Sequence, residues 1–80
     1  MAKFRSTLSK REDEVLALIA KGMSNEEICE KLNIQIATCM SHINSIYDKY
    51  RTFVGKEKYP KSVIRVNLAL LFLKEILDNL

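Results

Sequence analysis

Eighty residues confine the chain to one domain with a small core, which is stable only if its few elements pack efficiently or a partner covers part of it. A composition that is 48% hydrophobic and 29% charged, with two glycines and one proline, argues against a disordered chain and points to a globular, helical unit in which strands do not dominate. The net charge of +3 is unevenly spread. Residues 1–11 carry Lys3, Arg5, Lys10 and Arg11 without an acid, residues 12–30 set six acids against Lys21, and residues 51–65 set Arg51, Lys56, Lys58, Lys61 and Arg65 against Glu57. Two basic segments therefore flank the middle of the chain, as expected if both meet phosphates, although a solvated lysine-rich surface would read the same way.

Residues 1–8 read as an extended basic arm, with Phe4 and Leu8 available to tuck against the domain. No apolar run lies between Met1 and Lys10, so no secretory signal is expected. The longest apolar run, Leu68 to Leu73, falls far short of the roughly 18 residues of a membrane span. A soluble, cytoplasmic protein without membrane contact is expected.

Ser9-Lys10-Arg11-Glu12 has the form of a capping box, in which the serine hydroxyl accepts from the N–H of Glu12 and the carboxylate reaches back to the N–H of Ser9. The first helix should run from there to about Lys21, with Asp13 and Glu14 complementing its positive end and Gly22 closing it. Val15, Leu16, Leu18, Ile19 and Ala20 supply its buried side. Ser24-Asn25-Glu26-Glu27 repeats the box, so a short second helix follows with Ile28, Cys29 and Leu32 inward, and Asn33 closes it in the left-handed conformation.

In the next stretch, Gln35 to Tyr50, the residues Cys39, Ile43, Ile46 and Tyr50 fall on one face at helical period, while Met40, Ser41, Asn44 and Asp48 fall on the other. The displayed face is short and polar, with almost none of the Lys/Glu pairs that solvate an ordinary surface helix. Such a face suits close approach to base edges, and an ordinary amphipathic helix is the alternative. A short helix, a tight turn at Asn33-Ile34 and this amphipathic segment form a helix-turn-helix pattern, whose second helix is the one offered to a major groove.

Leu8 to Tyr50 resembles the LuxR/FixJ-type (GerE-like) DNA-binding domain of bacterial transcription regulators. The resemblance rests on the opening L-S-x-R-E-x-E-V-L (Leu8 to Leu16), the run A-x-G-M-S-N-x-E-I (Ala20 to Ile28), and Leu32, Ile34, Thr38 and His42, all at family spacing. It implies base contacts from Met40, Ser41 and Asn44, which are the two positions after the pair Thr38-Cys39 and a position one turn later. It also implies DNA backbone contacts or bracing from Ser24, Asn25, Thr38 and His42, and a backbone contact from Lys49 at a frequent basic position. For His42 a structural hydrogen bond is expected ahead of a phosphate contact. The chain departs from the family in two ways: Gln35-Ile36-Ala37 replaces Ser-Glu-Lys before the threonine, and Met40 stands where Lys or Arg is common. A methionine there loses a charge contact and favours a thymine methyl, shifting affinity to the flanking basic segments or weakening it.

Beyond Tyr50 a long basic connection, Arg51 to Pro60, is expected, with Arg51, Lys56 and Lys58 placed to follow a phosphate strand or to form a surface loop, and Pro60 fits a first helical turn. The last helix, Ser62 to Asn79, carries two apolar stripes. Ile64, Leu68, Leu71 and Phe72 can cover the core, while Val63, Val66, Leu70, Leu73, Leu77 and Leu80 repeat like a coiled-coil seam. Val66, Leu70, Leu73 and Leu77 are therefore expected at a dimer interface, which the resemblance also assigns to this helix. The alternative is a helix that seals the core alone.

Cys29 and Cys39 sit at apolar positions with no C-x-x-C pair and no ligand histidine nearby, so they are read as small core residues and no metal site is expected. One histidine, no paired carboxylates and no glycine-rich phosphate loop argue against an enzyme, and no cofactor is expected. The reading is an all-α, four-helix domain over residues 1–80: arm 1–8, helix-turn-helix core 9–50, loop 51–60 and dimerisation helix 61–80. Its function would be sequence-specific binding of double-stranded DNA as a homodimeric transcription regulator, with RNA polymerase or another regulator as a further partner. The alternative is an interaction module that keeps the fold and restrains another regulator without strong DNA binding. No receiver or ligand-binding segment lies in these residues, which leaves control by abundance or an effector domain of a longer chain.

Overall fold

A computed structural model describes residues 3–79 and contains four α-helices, with no strand among the described residues. After a 3₁₀ turn at Phe4–Thr7 come α1 (Lys10–Ala20), α2 (Asn25–Leu32), α3 (Ile36–Val54) and α4 (Lys61–Asp78). Both capping boxes form as their sequences require: Ser9 with Glu12, and Ser24 with Glu27. In the second box the amide and hydroxyl of Ser24 hold the exposed Glu27 carboxyl below its ordinary pKa. Gly22 (φ 81°) and Asn33 (φ 54°) take the left-handed conformation that ends the first two helices.

The core is built from one face of each helix. Val15, Leu16 and Ile19 of α1, Ile28 of α2, Cys39, Ile43 and Ile46 of α3, and Ile64 and Leu68 of α4 form one buried cluster. The predicted inward face of α3, down to Tyr50, is buried along its whole length. Leu32 is only half-buried at the edge of the cluster. Cys29 and Cys39 are free thiols packed in the core, where burial and the neighbouring Cys29 push the Cys39 thiol up to about 11.

Three expectations are corrected. The arm is not extended: its 3₁₀ turn inserts Phe4, fully buried, edge-on against Tyr50 and Phe53 at centroid distances of 5.7 and 5.4 Å. Burying one such ring is worth about 1.5–3 kcal/mol, which offsets part of the entropy lost on ordering the arm. The backbone N–H groups of Phe4 and Arg5 donate to the buried carboxylate of Glu75 near the end of α4, at 3.0 and 3.3 Å. Secondly, α3 continues past Tyr50 to Val54, where Gly55 (φ 71°) caps it, so the connection shrinks to Gly55–Pro60. Thirdly, Pro60 is the N-cap of α4, preceding its first turn, and the helix starts at Lys61. Met1, Ala2 and Leu80 lie outside the described residues.

The two stripes of α4 part as their spacing predicts. Ile64 and Leu68 are buried, with Leu71 and Phe72 packed against the core. Val66, Leu70, Leu73 and Leu77 stand 52–64% exposed, with Val63 beside them. No helix among the described residues is long and apolar enough to cross a membrane.

Candidate nucleic-acid interface

The N-terminal half of α3 opens on an exposed run. Gln35 caps it through its backbone alone, without a side-chain hydrogen bond, because glutamine is a poor substitute for a capping serine. Ile36, Ala37, Thr38 and Ser41 are exposed, while Met40, His42 and Asn44 are half-buried. The isoleucine at the first helical position is 54% exposed, an apolar group at the leading end of the displayed face that sequence reasoning did not single out.

Met40 is displayed but anchored. Its Sδ accepts from Asn25 Nδ2 at 3.4 Å, and its side chain leans on the core. Asn25 is in turn gripped by α4: Arg65 Nη1 donates to Asn25 Oδ1 at 2.8 Å and to the Tyr47 hydroxyl at 3.1 Å, and Nη2 donates to the Met23 carbonyl at 2.6 Å. Arg65 therefore ties α2 and α3 together from behind, a role invisible in its sequence position. Ser24, Asn25, Glu26 and Arg65 line an open cup of about 510 Å³ at the start of α2. The His42 ring is half-buried and forms no hydrogen bond among the described residues, where a structural one was expected.

The cations are distributed otherwise than expected. Lys49 Nζ lies 2.6 Å from Glu12 Oε1 and 3.4 Å from the Thr7 carbonyl, so it braces α3 against α1. Burial of Glu12 opposes its ionisation, but hydrogen bonds from Lys49, Ser45 and the Ser9 amide win and hold its carboxyl at about 2. Arg51 donates twice to the Tyr59 carbonyl at 3.1 Å and pairs with Asp48, which pins the connection after α3. Lys56 and Lys58 are exposed in that connection, around an open depression of about 620 Å³ that also includes Arg51, Glu57 and Tyr59.

Nor is the arm a free phosphate grip. Arg5 pairs with Asp13 at 2.8 Å, its pKa raised by that hydrogen bond, and its guanidinium lies 4.6 Å from the Phe72 ring centre. Lys3 donates to Asn79 at 2.8 Å. The arm and the basic connection both gather at the C-terminal end of α3, roughly 20 Å from Met40 at 1.5 Å per residue. Nearer the displayed face is Lys61, at the start of α4, whose Nζ lies 3.3 Å from Asn44 Oδ1. Sequence reasoning placed Lys61 at the end of a basic loop offered to phosphates and not beside Asn44, since the contact joins residues 17 apart.

Residues 6–52, covering both capping boxes, the turn and nearly all of α3, match the family of bacterial regulatory proteins named luxR, or GerE. The chain belongs to the luxR family. It is 51% identical over 43 residues to the transcriptional regulatory protein LiaR of Bacillus subtilis, covering 54% of this chain and 20% of that protein. It is 52% identical over 42 residues to the oxygen regulatory protein NreC of Staphylococcus carnosus, covering 52% and 19%. With the response regulator protein VraR of Staphylococcus aureus the identity is 44% over 48 residues, covering 60% and 23%. The matched segment is thus about a fifth of the length of these relatives. No solved structure matches the chain. The luxR assignment places the chain among regulators with a helix-turn-helix domain and not among enzymes. The family match ends at residue 52, so the last turn of α3, the connection and α4 lie beyond it.

Proposed function

We propose that this luxR-type domain binds double-stranded DNA sequence-specifically and regulates transcription, with α3 in the major groove. The observation that carries the reading is the family match over a helix-turn-helix whose outer helix displays short polar side chains. Ser41, Asn44 and Met40 are the proposed base readers, and Ile36 and Met40 offer apolar surface to thymine methyls. Ser24, Asn25, Thr38 and His42 are proposed to meet the sugar-phosphate backbone close to the readers. Lys56 and Lys58 would serve a phosphate strand at the far end. Lys49 and Arg51 are proposed to act there mainly by bracing, since Glu12 and the Tyr59 carbonyl already hold them.

The domain is proposed to act as a homodimer through Val66, Leu70, Leu73 and Leu77. Their exposure on one stripe of α4 supports this, because an apolar seam of that kind is stable when a second helix covers it. Two recognition helices about 34 Å apart would then read a two-fold related site. The cytoplasm is the compartment this function requires.

Titration of fluorescent duplexes at two salt concentrations tests the DNA reading: binding at low salt that weakens as salt rises is expected, and no binding at low salt overturns it. Light scattering of the protein alone tests the dimer, and Leu70→Glu should shift a dimer to monomer. A second reading, a module that pairs through α4 with another regulator, is favoured by the absence of a lysine or arginine from Gln35 to Tyr47. A monomer indifferent to DNA in both measurements would support that second reading.

A further inference from the structure

The contact between Lys61 and Asn44 goes beyond the reader set just proposed and rests on that DNA-binding reading. An ammonium group donates only, so the atom of the Asn44 amide that faces it at 3.3 Å must be the oxygen. The amide NH₂ is thereby left free to donate elsewhere. Lys61 is the first residue of α4, at the positive end of the helix dipole, where a cation is disfavoured and where no acid accompanies it. A position that breaks this local rule in an exposed setting suggests a use for the charge. The charge that the family commonly carries at the position of Met40 is missing from α3, and Lys61 returns one to the neighbourhood of Asn44 from a different helix.

We infer that Lys61 and Asn44 form a composite reading unit made only of donors, which selects guanine over adenine at one base pair of each half-site. A free asparagine reads adenine by accepting from the N6 amino group while donating to N7. Here the oxygen is engaged by Lys61, and the adjacent ammonium opposes the positive amino hydrogens of adenine. The free NH₂ of Asn44 and the remaining N–H groups of Lys61 match the two acceptors of guanine, N7 and O6. Lys61 thus sets specificity while lying outside the helix-turn-helix.

Selection of bound duplexes from a random pool tests this with the wild-type chain, Asn44→Ala, Lys61→Met and Lys61→Arg. The wild type should enrich guanine over adenine at one position by about five-fold or more, the scale of one good base contact. Asn44→Ala should abolish the preference there alone. Lys61→Met should turn that position towards adenine without changing the others, and Lys61→Arg should restore guanine. Lys61→Met weakening every sequence alike, with no position altered, overturns the inference and leaves DNA binding intact. A wild-type chain that binds no duplex at low salt overturns both.

Discussion

Arg65 on α4 holds the first residue of α2 directly: its Nη1 lies 2.8 Å from Asn25 Oδ1, and the other face of the same asparagine amide holds Met40 of α3 at 3.4 Å. The angle between the two helices of the helix-turn-helix thereby depends on a side chain outside it. Arg65→Met keeps the aliphatic stem but leaves the Met23 carbonyl and Asn25 oxygen without their donor. A loss of about 1–3 kcal/mol in urea unfolding is expected. DNA affinity should fall further than the unfolded fraction explains, because Met40 loses its brace. An unchanged midpoint would show that water replaces the guanidinium without cost.

Glu12 gives the fold an acid-side dependence. Its carboxyl is held at about 2 against an ordinary value of 4.5, so the unfolded chain binds more protons than the folded one between those values. The stabilisation is fully present above about pH 4.5 and is lost as pH falls towards 2. Glu12→Gln should flatten unfolding free energy over that window, and Lys49→Met should reduce its slope by raising the folded pKa. Urea midpoints measured from pH 2.5 to 6 check this; an identical slope in Lys49→Met would remove Lys49 from the account.

The arm is fastened to the far end of the chain by Glu75, which accepts from the amides of Phe4 and Arg5. Glu75→Ala should cost about 1–3 kcal/mol by leaving buried N–H groups unsatisfied. Amide exchange at Phe4 and Arg5 should accelerate well beyond that of the α1 core. Glu75→Gln keeps one acceptor oxygen and should lose less. Unaltered exchange in Glu75→Ala would mean that Phe4 alone secures the arm.

Gly55 ends α3 at φ 71° with no atom within 4 Å of an added Cβ. Gly55→Ala should therefore cost only the left-handed backbone strain, about 1–2 kcal/mol, read as a lowered melting temperature. A stabilised variant would show that α3 can end in another way.

Much of this architecture is legible in local sequence. Ser9 with Glu12 and Ser24 with Glu27 announce two helix starts, Asn33 announces a left-handed stop, and the spacing from Cys39 to Tyr50 fixes the buried face of α3, because capping and helical period act over three or four residues. The same spacing separates the core stripe of α4 from its exposed one. The end of α3 was less legible: Phe53 and Val54 continue the apolar pattern past Tyr50, one packing on Phe4 and the other on the core, and the helix runs on to the glycine that can close it.

What sequence could not decide was the use of each charge. A lysine reads alike whether it meets solvent, a phosphate or a carboxylate, and only the packed chain brings Lys49 to Glu12, Arg5 to Asp13 and Phe72, and Arg65 to Asn25. These contacts join helices distant in sequence, and the Coulomb and hydrogen-bond energies that set them depend on separation in space. The sequence by itself determined the four helices in outline, the buried stripes of α3 and α4, and the family resemblance; tertiary structure decided where the arm folds, which cations are committed to the fold, and that Lys61 lies beside Asn44.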